Sequence, residues 1–225
     1  MAKNSKRFKK AIELASDEAL SVSDAVKKLK SFPATKFDQS VDIAMQLGID
    51  PRQADQLIRG AISLPNGIGK AKNVIAFCDD SEVEAAKAAG AVEAGTEELV
   101  KKIEGGWMDF DVAIASPKVM GQVGKLGRVL GPQGKMPSPK NGTVTPDVIN
   151  AVKEFAAGKV EFRNDSGGNV HTVVGKLSFD EEKLIGNIKF FIDHITKMRP
   201  ASCKGVYLKK ITLSATMSPG VNVAV

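Results

Sequence analysis

The segment at 127–142 reads GRVLGPQGKMPSPKNG, and its glycines and basic residues suggest phosphate chemistry. A Walker phosphate loop requires a glycine, four further residues and then Gly-Lys-Ser/Thr. At Gly134-Lys135 the first glycine is replaced by Val129, and Met136 follows where the magnesium-binding hydroxyl should stand. Gly69-Lys70 fails in the same two ways. The spacing therefore excludes a Walker-type nucleotide site at both places.

Other residue types that support catalysis are too few or too scattered. Cys78 and Cys203 form no CxxC pair, and with only His171 and His194 they provide neither a zinc ligand set nor a disulfide framework. Neither histidine belongs to a known nucleophile motif, and no GxGxxG follows a strand. Asp79-Asp80 is either a metal site or, as we favour, a helix cap. We expect no enzyme activity, no cofactor and no metal.

The distribution of charge indicates an anionic partner. The chain has 225 residues and a net charge of +6. Residues 1–66 carry a net +3 and residues 159–225 a net +4, whereas 67–158 carry −1. If the two ends form one domain, that domain carries +7 and the middle is an insertion. Within the middle, 112–146 has five basic residues and no acid: Lys118, Lys125, Arg128, Lys135 and Lys140.

The N-terminus is basic and has no apolar core behind it, so it is not a signal peptide. No apolar run approaches the ~20 residues that a membrane span needs, so we expect no membrane partner. Two interpretations of the first ten residues stay open, a solvated helix face or a phosphate-contacting arm. The basic residues concerned are Lys3, Lys6, Arg7, Lys9 and Lys10.

The two ends of the chain predict an α+β domain. Alternation over 37–48, with Val41 and Ile43 on its apolar side, predicts a half-buried strand. Further strands are predicted near 60–64 and at 159–163, 170–176 and 205–215. A short helix is predicted to begin at Asp50-Pro51, and a long one behind a capping box of Ser178 and Glu181.

The middle predicts a small parallel sheet with helices on both faces. Strands are expected at 73–78, 91–93 and 111–115, and helices at 81–89, at 96–104, after Ser116-Pro117 and after Thr145-Pro146-Asp147. The glycine- and proline-rich 127–144 segment is expected to be an exposed loop, either a rigid connector or a basic surface. The fold class is therefore α/β overall, with domains 1–66 plus 159–225 and 67–158. Gly67, Gly69 and Gly158 mark the junctions and a hinge.

Several ordered motifs resemble the bacterial large-subunit ribosomal protein L-one family, over nearly the whole chain. The motifs are Lys36-Phe37-Asp38, Leu47-Gly48-Ile49-Asp50-Pro51, Leu64-Pro65 with Gly67 and Gly69-Lys70, Gly106-Trp107-Met108-Asp109-Phe110-Asp111, the 127–144 segment, Glu161-Phe162-Arg163-Asn164-Asp165 and Thr216-Met217. The family usually has glycine after the Thr-Met pair, and this chain has Ser218. Only glycine lets another backbone approach without a Cβ, so the departure bears on RNA contact there.

The resemblance implies a discontinuous, split βαβ-like RNA-binding domain interrupted by a Rossmann-like three-layer α/β/α domain. It also implies a structural protein of the large ribosomal subunit, located on the cytoplasmic ribosome, that binds 23S rRNA in the mobile stalk. Assistance to release of deacylated tRNA from the exit site and repression of the protein's own operon mRNA are implied as well. The expected partners are those RNAs and other parts of the large subunit, without a small-molecule substrate.

The resemblance and the local chemistry together give the candidate site residues. The candidates for rRNA and mRNA binding are Lys36, Phe37, Ser40, Arg163, Asn164, Asp165, Ser166, His171, Thr216, Met217 and Ser218. The candidates that face tRNA are Arg52, Lys118, Lys125, Arg128, Lys135 and Lys140. Core burial is the competing interpretation for Phe37, and an ordinary turn is the competing interpretation for Arg163–Gly168.

Two rival function classes have distinct signatures. A nucleotide-using enzyme would bind its nucleotide at the carboxyl edge of the middle sheet, where the expected glycine motifs are missing. A protein-interaction module would form complexes that survive nuclease and depend weakly on salt.

Overall fold

The computed structural model describes residues 5–15 and 18–224 as a mixed α/β protein. The chain divides into two compact units. Unit 1 comprises Met1–Gly69 and Phe162–Val225, and unit 2 comprises Lys70–Glu161. These bounds lie three residues beyond those expected at 66 and 158. Lys3 of the basic N-terminal cluster lies outside the described residues.

The regular elements, in chain order, are as follows. The α-helices are α1 Lys6–Leu14, α2 Val22–Ser31, α3 Val83–Ala88, α4 Glu97–Glu104, α5 Met120–Val123, α6 Gly127–Leu130, α7 Val148–Ala156 and α8 Glu181–Lys197. The strands are β1 Ser40–Leu47, β2 Arg59–Ile62, β3 Val74–Phe77, β4 Glu93–Ala94, β5 Val112–Ala115, β6 Val160–Arg163, β7 Asn169–Lys176, β8 Leu208–Ala215 and β9 Val221–Val223. Short 3-10 helices occur at Ala54–Gln56, Asp80–Glu82, Gly124–Leu126 and Pro139–Asn141.

Unit 1 is built on a four-stranded antiparallel sheet in the order β7-β1-β8-β9. The predicted alternation of β1 is confirmed, because its odd-numbered residues from Val41 to Leu47 are all buried. Helices α2 and α8 pack on that face, and the predicted α8 stripe of Leu184, Ile188 and Phe191 is buried there. The opposite face carries the polar side chains of the strands.

The α-helix expected at Asp50-Pro51 is wrong, because the chain makes a turn and then only the 3-10 helix at Ala54–Gln56. The Asp50 side chain accepts a hydrogen bond from the Arg52 N–H at 3.1 Å. The Gln56 side chain in turn accepts the Asp50 N–H at 2.8 Å. These local side-chain bonds close a compact turn in place of a helix.

The capping box expected at Ser178 and Glu181 is also wrong. The residue that caps α8 is Asp180, and its side chain makes no capping hydrogen bond. Ser178 instead donates its hydroxyl to Asp38 at 2.8 Å, and its N–H bonds the same carboxylate at 3.2 Å. A partner distant in sequence has displaced the local one. Helix α1 was expected only as one of the two open interpretations of the basic N-terminus, while α2 and the short strand β9 were not predicted as elements.

Unit 2 is built on a three-stranded parallel sheet in the order β4-β3-β5. The predicted strands β3 and β5 are confirmed and are buried on both faces. The predicted cap of α7 is confirmed, since the Asp147 carboxylate accepts the Asn150 N–H at 3.2 Å. The side chain of Asp79 makes no capping bond to the helix that follows it.

The 127–144 segment is not wholly a loop, because its first four residues form α6. Ser116-Pro117 does not cap the helix that follows it either, since α5 begins at Met120 and its cap residue is Val119. Val123, Leu126 and Leu130 are buried in the core of unit 2. Burial of these apolar side chains outweighs the low helix propensity of the intervening glycines.

Candidate nucleic-acid interface

Two segments separated by 176 residues meet at one end of the unit 1 sheet. The Thr216 hydroxyl accepts the Ser40 N–H at 3.1 Å, and the Thr216 N–H donates to the Ser40 carbonyl at 3.1 Å. The Met217 N–H donates to the side chain of Gln39, which is only 4% exposed, at 3.0 Å. We call the candidate residues at this end of the sheet the Thr216 cluster. Its members are Lys36, Phe37, Ser40, Thr216, Met217 and Ser218.

The Thr216 cluster presents apolar side chains to solvent beside a cation. Phe37 is 49% exposed and Met217 50% exposed, and Lys36 is exposed. Core burial, the competing interpretation for Phe37, is therefore wrong. Exposed large apolar side chains on a rigid frame are typical of a binding surface.

Ser218 turns its side chain back onto its own turn. Its hydroxyl accepts the Ala215 N–H at 2.8 Å and lies 3.0 Å from the Pro219 carbonyl, to which it donates. Among the described residues only glycines have positive φ, so position 218 has a backbone conformation open to serine. The hydroxyl thus has partners within the protein, and the backbone there does not require glycine.

The second set of predicted residues lies at the other end of β1. In the sheet Ser40 pairs with Lys176, whereas Gln46 pairs with Asn169, just past the turn that holds Asp165. Six residues of strand separate those ends, which is about 20 Å at the usual rise per residue. The structure therefore brings Arg163, Asn164, Asp165 and Ser166 together with one another but not with the Thr216 cluster.

Asp165 holds its own turn. One carboxylate oxygen accepts the N–H groups of Gly167 and Asn169 at 2.8 and 2.7 Å, and the other accepts the Asn169 side-chain amide at 3.1 Å. The backbone hydrogen bond from Asn169 is the main cause of a lowered pKa for the Asp165 carboxyl. Asn164 is similarly occupied, since its side-chain oxygen accepts the Ile58 N–H at 2.9 Å. Arg163 and Ser166 remain exposed.

A polar strip on the open face of the sheet runs between these two ends. His171 projects from this face, and its Nε2 lies 3.6 Å from an Asp165 carboxylate oxygen. A shallow groove is lined by Ala44, Met45, Gln46, Asn169, His171, Lys210 and Thr212. Sequence reasoning missed Lys210 and Thr212. The signal was available, because polar and apolar residues alternate along 210–215 and the polar ones must face away from the helices.

Asp42 places an acid on the same open face. Burial is the main cause of its raised pKa, while the nearby charges of Lys176 and His171 act in the opposite direction. Lys176 Nζ also lies 2.9 Å from the Ser40 hydroxyl, at the Thr216 cluster. Lys176 and His171 thus share this face with the Asp42 carboxyl group, which would repel an RNA phosphate when ionised.

The predicted basic residues of unit 2 differ in their solvent exposure and in their contacts within the protein. Lys125, Arg128 and Lys140 are exposed. Lys118 is also exposed and lies 3.4 Å from the Asp79 carboxylate. A surface ion pair of this kind contributes little and leaves the cation available.

Lys135 is engaged inside unit 2. Its ammonium donates to the carbonyls of Met108 and Phe110 at 3.1 and 2.6 Å, and it lies 4.9 Å from the centre of the Phe110 ring. The loop beyond it is closed by the Thr143 hydroxyl, which accepts the Ser138 N–H at 2.8 Å. Lys135 therefore fastens the loop to the rest of unit 2 through these contacts.

Arg52 is exposed but belongs to unit 1, whereas the other five tRNA-facing candidates belong to unit 2. The six residues thus do not lie within one unit.

The three predicted hinge glycines lie inside the units. Gly67 has φ +63°, and its carbonyl accepts the amide of the fully buried Asn187 at 2.9 Å. Gly69 has φ +72°, and an added Cβ would lie 2.8 Å from the Phe179 ring. Gly158, with φ +105°, follows α7 within unit 2. Gly67 and Gly69 are therefore held by contacts within unit 1.

The carboxyl edge of the unit 2 sheet has a pocket of acidic character. Its lining includes Asp79, Glu84, Glu97 and Glu98 with Lys87. Such a lining disfavours nucleotide phosphates. Within 5–15 and 18–224, no group of three or more His, Cys, Asp or Glu side chains could hold a metal ion. None of the helices in that described part is long and apolar enough to span a bilayer.

Comparison with known proteins decides the family. Residues 29–219 match the model of the family described as Ribosomal protein L1p/L10e family. The chain belongs to this family. Because it is a family of ribosomal proteins, the chain is a ribosomal protein and not an enzyme.

Individual relatives agree with this assignment over nearly the full chain. The chain is 57% identical over 224 residues to large ribosomal subunit protein uL1 of Rhodopirellula baltica, covering 100% of both chains. It is 52% identical over 202 residues to the protein of that name from Chlorobaculum tepidum, covering 90% of this chain and 87% of the relative. The corresponding protein of Nitratidesulfovibrio vulgaris strain DP4 is 50% identical over 224 residues, covering 99% of this chain and 95% of the relative.

Proposed function

We propose that this chain is a constituent of the large ribosomal subunit that binds a folded element of 23S rRNA through unit 1. The observation that carries the proposal is the Thr216 cluster. There, two distant parts of the chain are locked together and expose Phe37 and Met217 beside Lys36. The polar strip of the sheet continues the surface as far as His171.

The chemistry of this surface suits a folded RNA. Such RNA is recognised through its shape, its 2′-hydroxyls, its phosphates and its unstacked bases. Phe37 and Met217 would contact sugars or bases, while Lys36, Lys210 and Arg163 would attract phosphates. The backbone of the 216–218 turn is fixed by hydrogen bonds, so little conformational entropy would be lost on binding.

Unit 2 would act on a second RNA. Its exposed cations Lys118, Lys125, Arg128 and Lys140 would face the exit-site tRNA. Arg52 is a separate tRNA-facing candidate, in unit 1. Lys135 would support this surface by fastening the loop. Movement of unit 2 relative to the rRNA-bound unit 1 would assist release of deacylated tRNA.

The same unit 1 surface would also repress translation of the chain's own operon mRNA. One surface cannot hold rRNA and mRNA together, so only protein in excess of rRNA would bind a stalk-like structure in the mRNA. The rRNA and tRNA partners would both be met on the cytoplasmic ribosome.

Equilibrium binding to an isolated 23S rRNA stalk fragment tests the proposal, with a scrambled hairpin of equal length as the control and a salt series for both. We expect selective binding that persists at moderate salt, since contacts other than phosphate neutralisation lose little with salt. Equal binding to both RNAs that collapses with salt would contradict it. Complexes that survive nuclease and ignore salt would instead favour a protein-interaction module.

A further inference from the structure

Helix α1 is docked beside the Thr216 cluster. The Arg7 guanidinium donates to the Met217 carbonyl at 2.8 Å and to the Pro33 carbonyl at 3.4 Å. Ala11, one turn further along the helix, has no exposed surface. The first helix is therefore fixed against the same turn that carries Thr216 and Met217, and is not a free arm.

The outer side of α1 is strongly basic. Lys6, Lys9 and Lys10 are all exposed, and none of the ion pairs formed by the described residues includes them. The one acid in the helix, Glu13, lies C-terminal to the lysines, which is the weaker orientation for a pair along a helix. Cations in the first turn also oppose the helix dipole. Stability of the helix does not explain this charge pattern.

We propose that the lysine face of α1, formed by Lys6, Lys9 and Lys10, is a further contact surface for the phosphate backbone of the folded RNA that the Thr216 cluster binds. This inference rests on the proposed rRNA binding by unit 1. Arg7 is a positioning residue, because its two carbonyl contacts fix α1 next to the cluster. Phosphate contacts carry no sequence information, so this surface adds affinity and salt dependence without changing the preferred RNA.

The test compares two triple variants of the full chain that lose the same charge. One has Lys6→Gln, Lys9→Gln and Lys10→Gln. The control has Lys27→Gln, Lys189→Gln and Lys197→Gln, exposed positions on the helices that cover the other face of the sheet. Binding to the stalk fragment is measured across a salt series. Losing three phosphate contacts should flatten the slope of log K against log salt by about 2 to 3. The control should change the slope much less.

Equal slopes for the two triple variants would overturn the inference. If wild-type protein fails to prefer the stalk fragment over the scrambled hairpin, the proposed rRNA binding itself fails. If wild type prefers the stalk fragment but the two triple variants have equal slopes of log K against log salt, only the role of α1 is rejected. The two failures are therefore distinguishable.

Arg7→Gln provides a separate test of the positioning role. Without the bond to Met217, α1 would move away from the Thr216 cluster and all three lysines would lose their phosphate contacts. This single change should therefore flatten the slope of log K against log salt by more than the ~0.9 expected for one lost contact. Combined with the α1 triple variant it should add little. Additive effects would show that Arg7 does not act through α1. Circular dichroism and thermal midpoints check that the variants remain folded.

Discussion

The Thr216 cluster of unit 1 and the basic segment of unit 2 differ in how their functional side chains are supported. In the Thr216 cluster, the backbone is fixed by sheet pairing, by Gln39 and by Thr216 itself, and the exposed side chains are apolar as well as basic. In unit 2 the basic residues lie on short helices and a loop, and one of them, Lys135, fastens that loop. A lysine in a basic sequence segment can thus either be exposed for contact with a partner or hold the loop in place through hydrogen bonds within the protein.

The largest effect should come from the buried amide that fixes the junction loop of unit 1. Asn187 bonds the Gly67 carbonyl, the Val174 carbonyl and the Asn66 N–H. Asn187→Ala leaves all three groups without that partner and should lower the unfolding free energy of unit 1 by about 2–4 kcal/mol. Urea unfolding measures it. Asn66→Ala, which loses one exposed side-chain bond to Lys183, should cost about 1 kcal/mol or less; equal losses would refute the distinction.

Thr216→Val should weaken binding to the rRNA fragment by ~1–3 kcal/mol. The reason is that the Ser40 N–H, and any RNA group bonded to the same hydroxyl, would lose its hydrogen-bond partner. Thr216→Ser keeps the hydroxyl and should bind nearly as wild type. Titration of labelled RNA with both variants, after their thermal midpoints are matched against wild type, makes the comparison. Wild-type affinity in the valine variant would remove Thr216 from the interface.

In unit 2, Lys135→Met and Lys140→Met lose the same charge but should behave differently. Loss of Lys135 leaves the Met108 and Phe110 carbonyls without their donor and should destabilise unit 2 by ~1–2 kcal/mol. Lys140 is exposed, so its loss should change stability by less than ~0.5 kcal/mol. Thermal unfolding measures the stability of the two variants, and amide hydrogen exchange at residues 131–144 measures how firmly the loop is held. An unaltered exchange pattern in the Lys135 variant would mean that Lys135 does not fasten the loop.

Thr172 has a buried hydroxyl without a hydrogen-bond partner in the described part of the chain. Thr172→Val keeps the shape and removes the unsatisfied group, so it should stabilise unit 1 by ~1 kcal/mol. Thr212→Val, on the open face of the sheet, is the matched control and should gain nothing. Destabilisation by Thr172→Val would show that the hydroxyl has a partner.

The smallest effect should be that of Asp42. Because burial raises the pKa of this carboxyl, the folded protein binds its proton more tightly than the unfolded chain, and stability is lost as pH rises through the raised value. Asp42→Asn should therefore be more stable than wild type at pH 7, by well under ~1 kcal/mol because the carboxyl group is only partly buried and solvent screens it. The gain should vanish below the ordinary value of 3.8. A constant gain at all pH values would contradict this; Asp193→Asn, exposed on α8, is the control.

Local sequence patterns predicted most strands of both units and helices α4, α7 and α8. Strand β1 and these helices have burial that follows the period of the element, whereas β3 and β5 are continuous apolar runs buried on both faces. Local patterns failed where a distant partner replaces a local one. Ser178 has the sequence of a cap but bonds Asp38, 140 residues away. Residues 127–130 have the composition of a loop but are helical because Leu130 enters the core.

The candidate site was harder to predict than the fold because its parts combine through the register of the sheet. Thr216 and Lys36 were identified by resemblance, but only the pairing of β1 shows that Asp165 lies at the opposite end from them. Lys135 and Lys140 look equivalent in the sequence, and only the carbonyls around Lys135 distinguish them.

The most direct test of the account compares how two variants select between the stalk fragment and the scrambled hairpin. One variant has Phe37→Ala and Met217→Ala in unit 1, and the other has Lys125→Gln, Arg128→Gln and Lys140→Gln in unit 2. If unit 1 recognises the RNA, the first variant should lose ~10-fold or more of the wild-type preference, since 1.4 kcal/mol of lost contacts is enough for that. The second should keep that preference. Loss of preference in the unit 2 variant, with the unit 1 variant unaffected, would contradict the account.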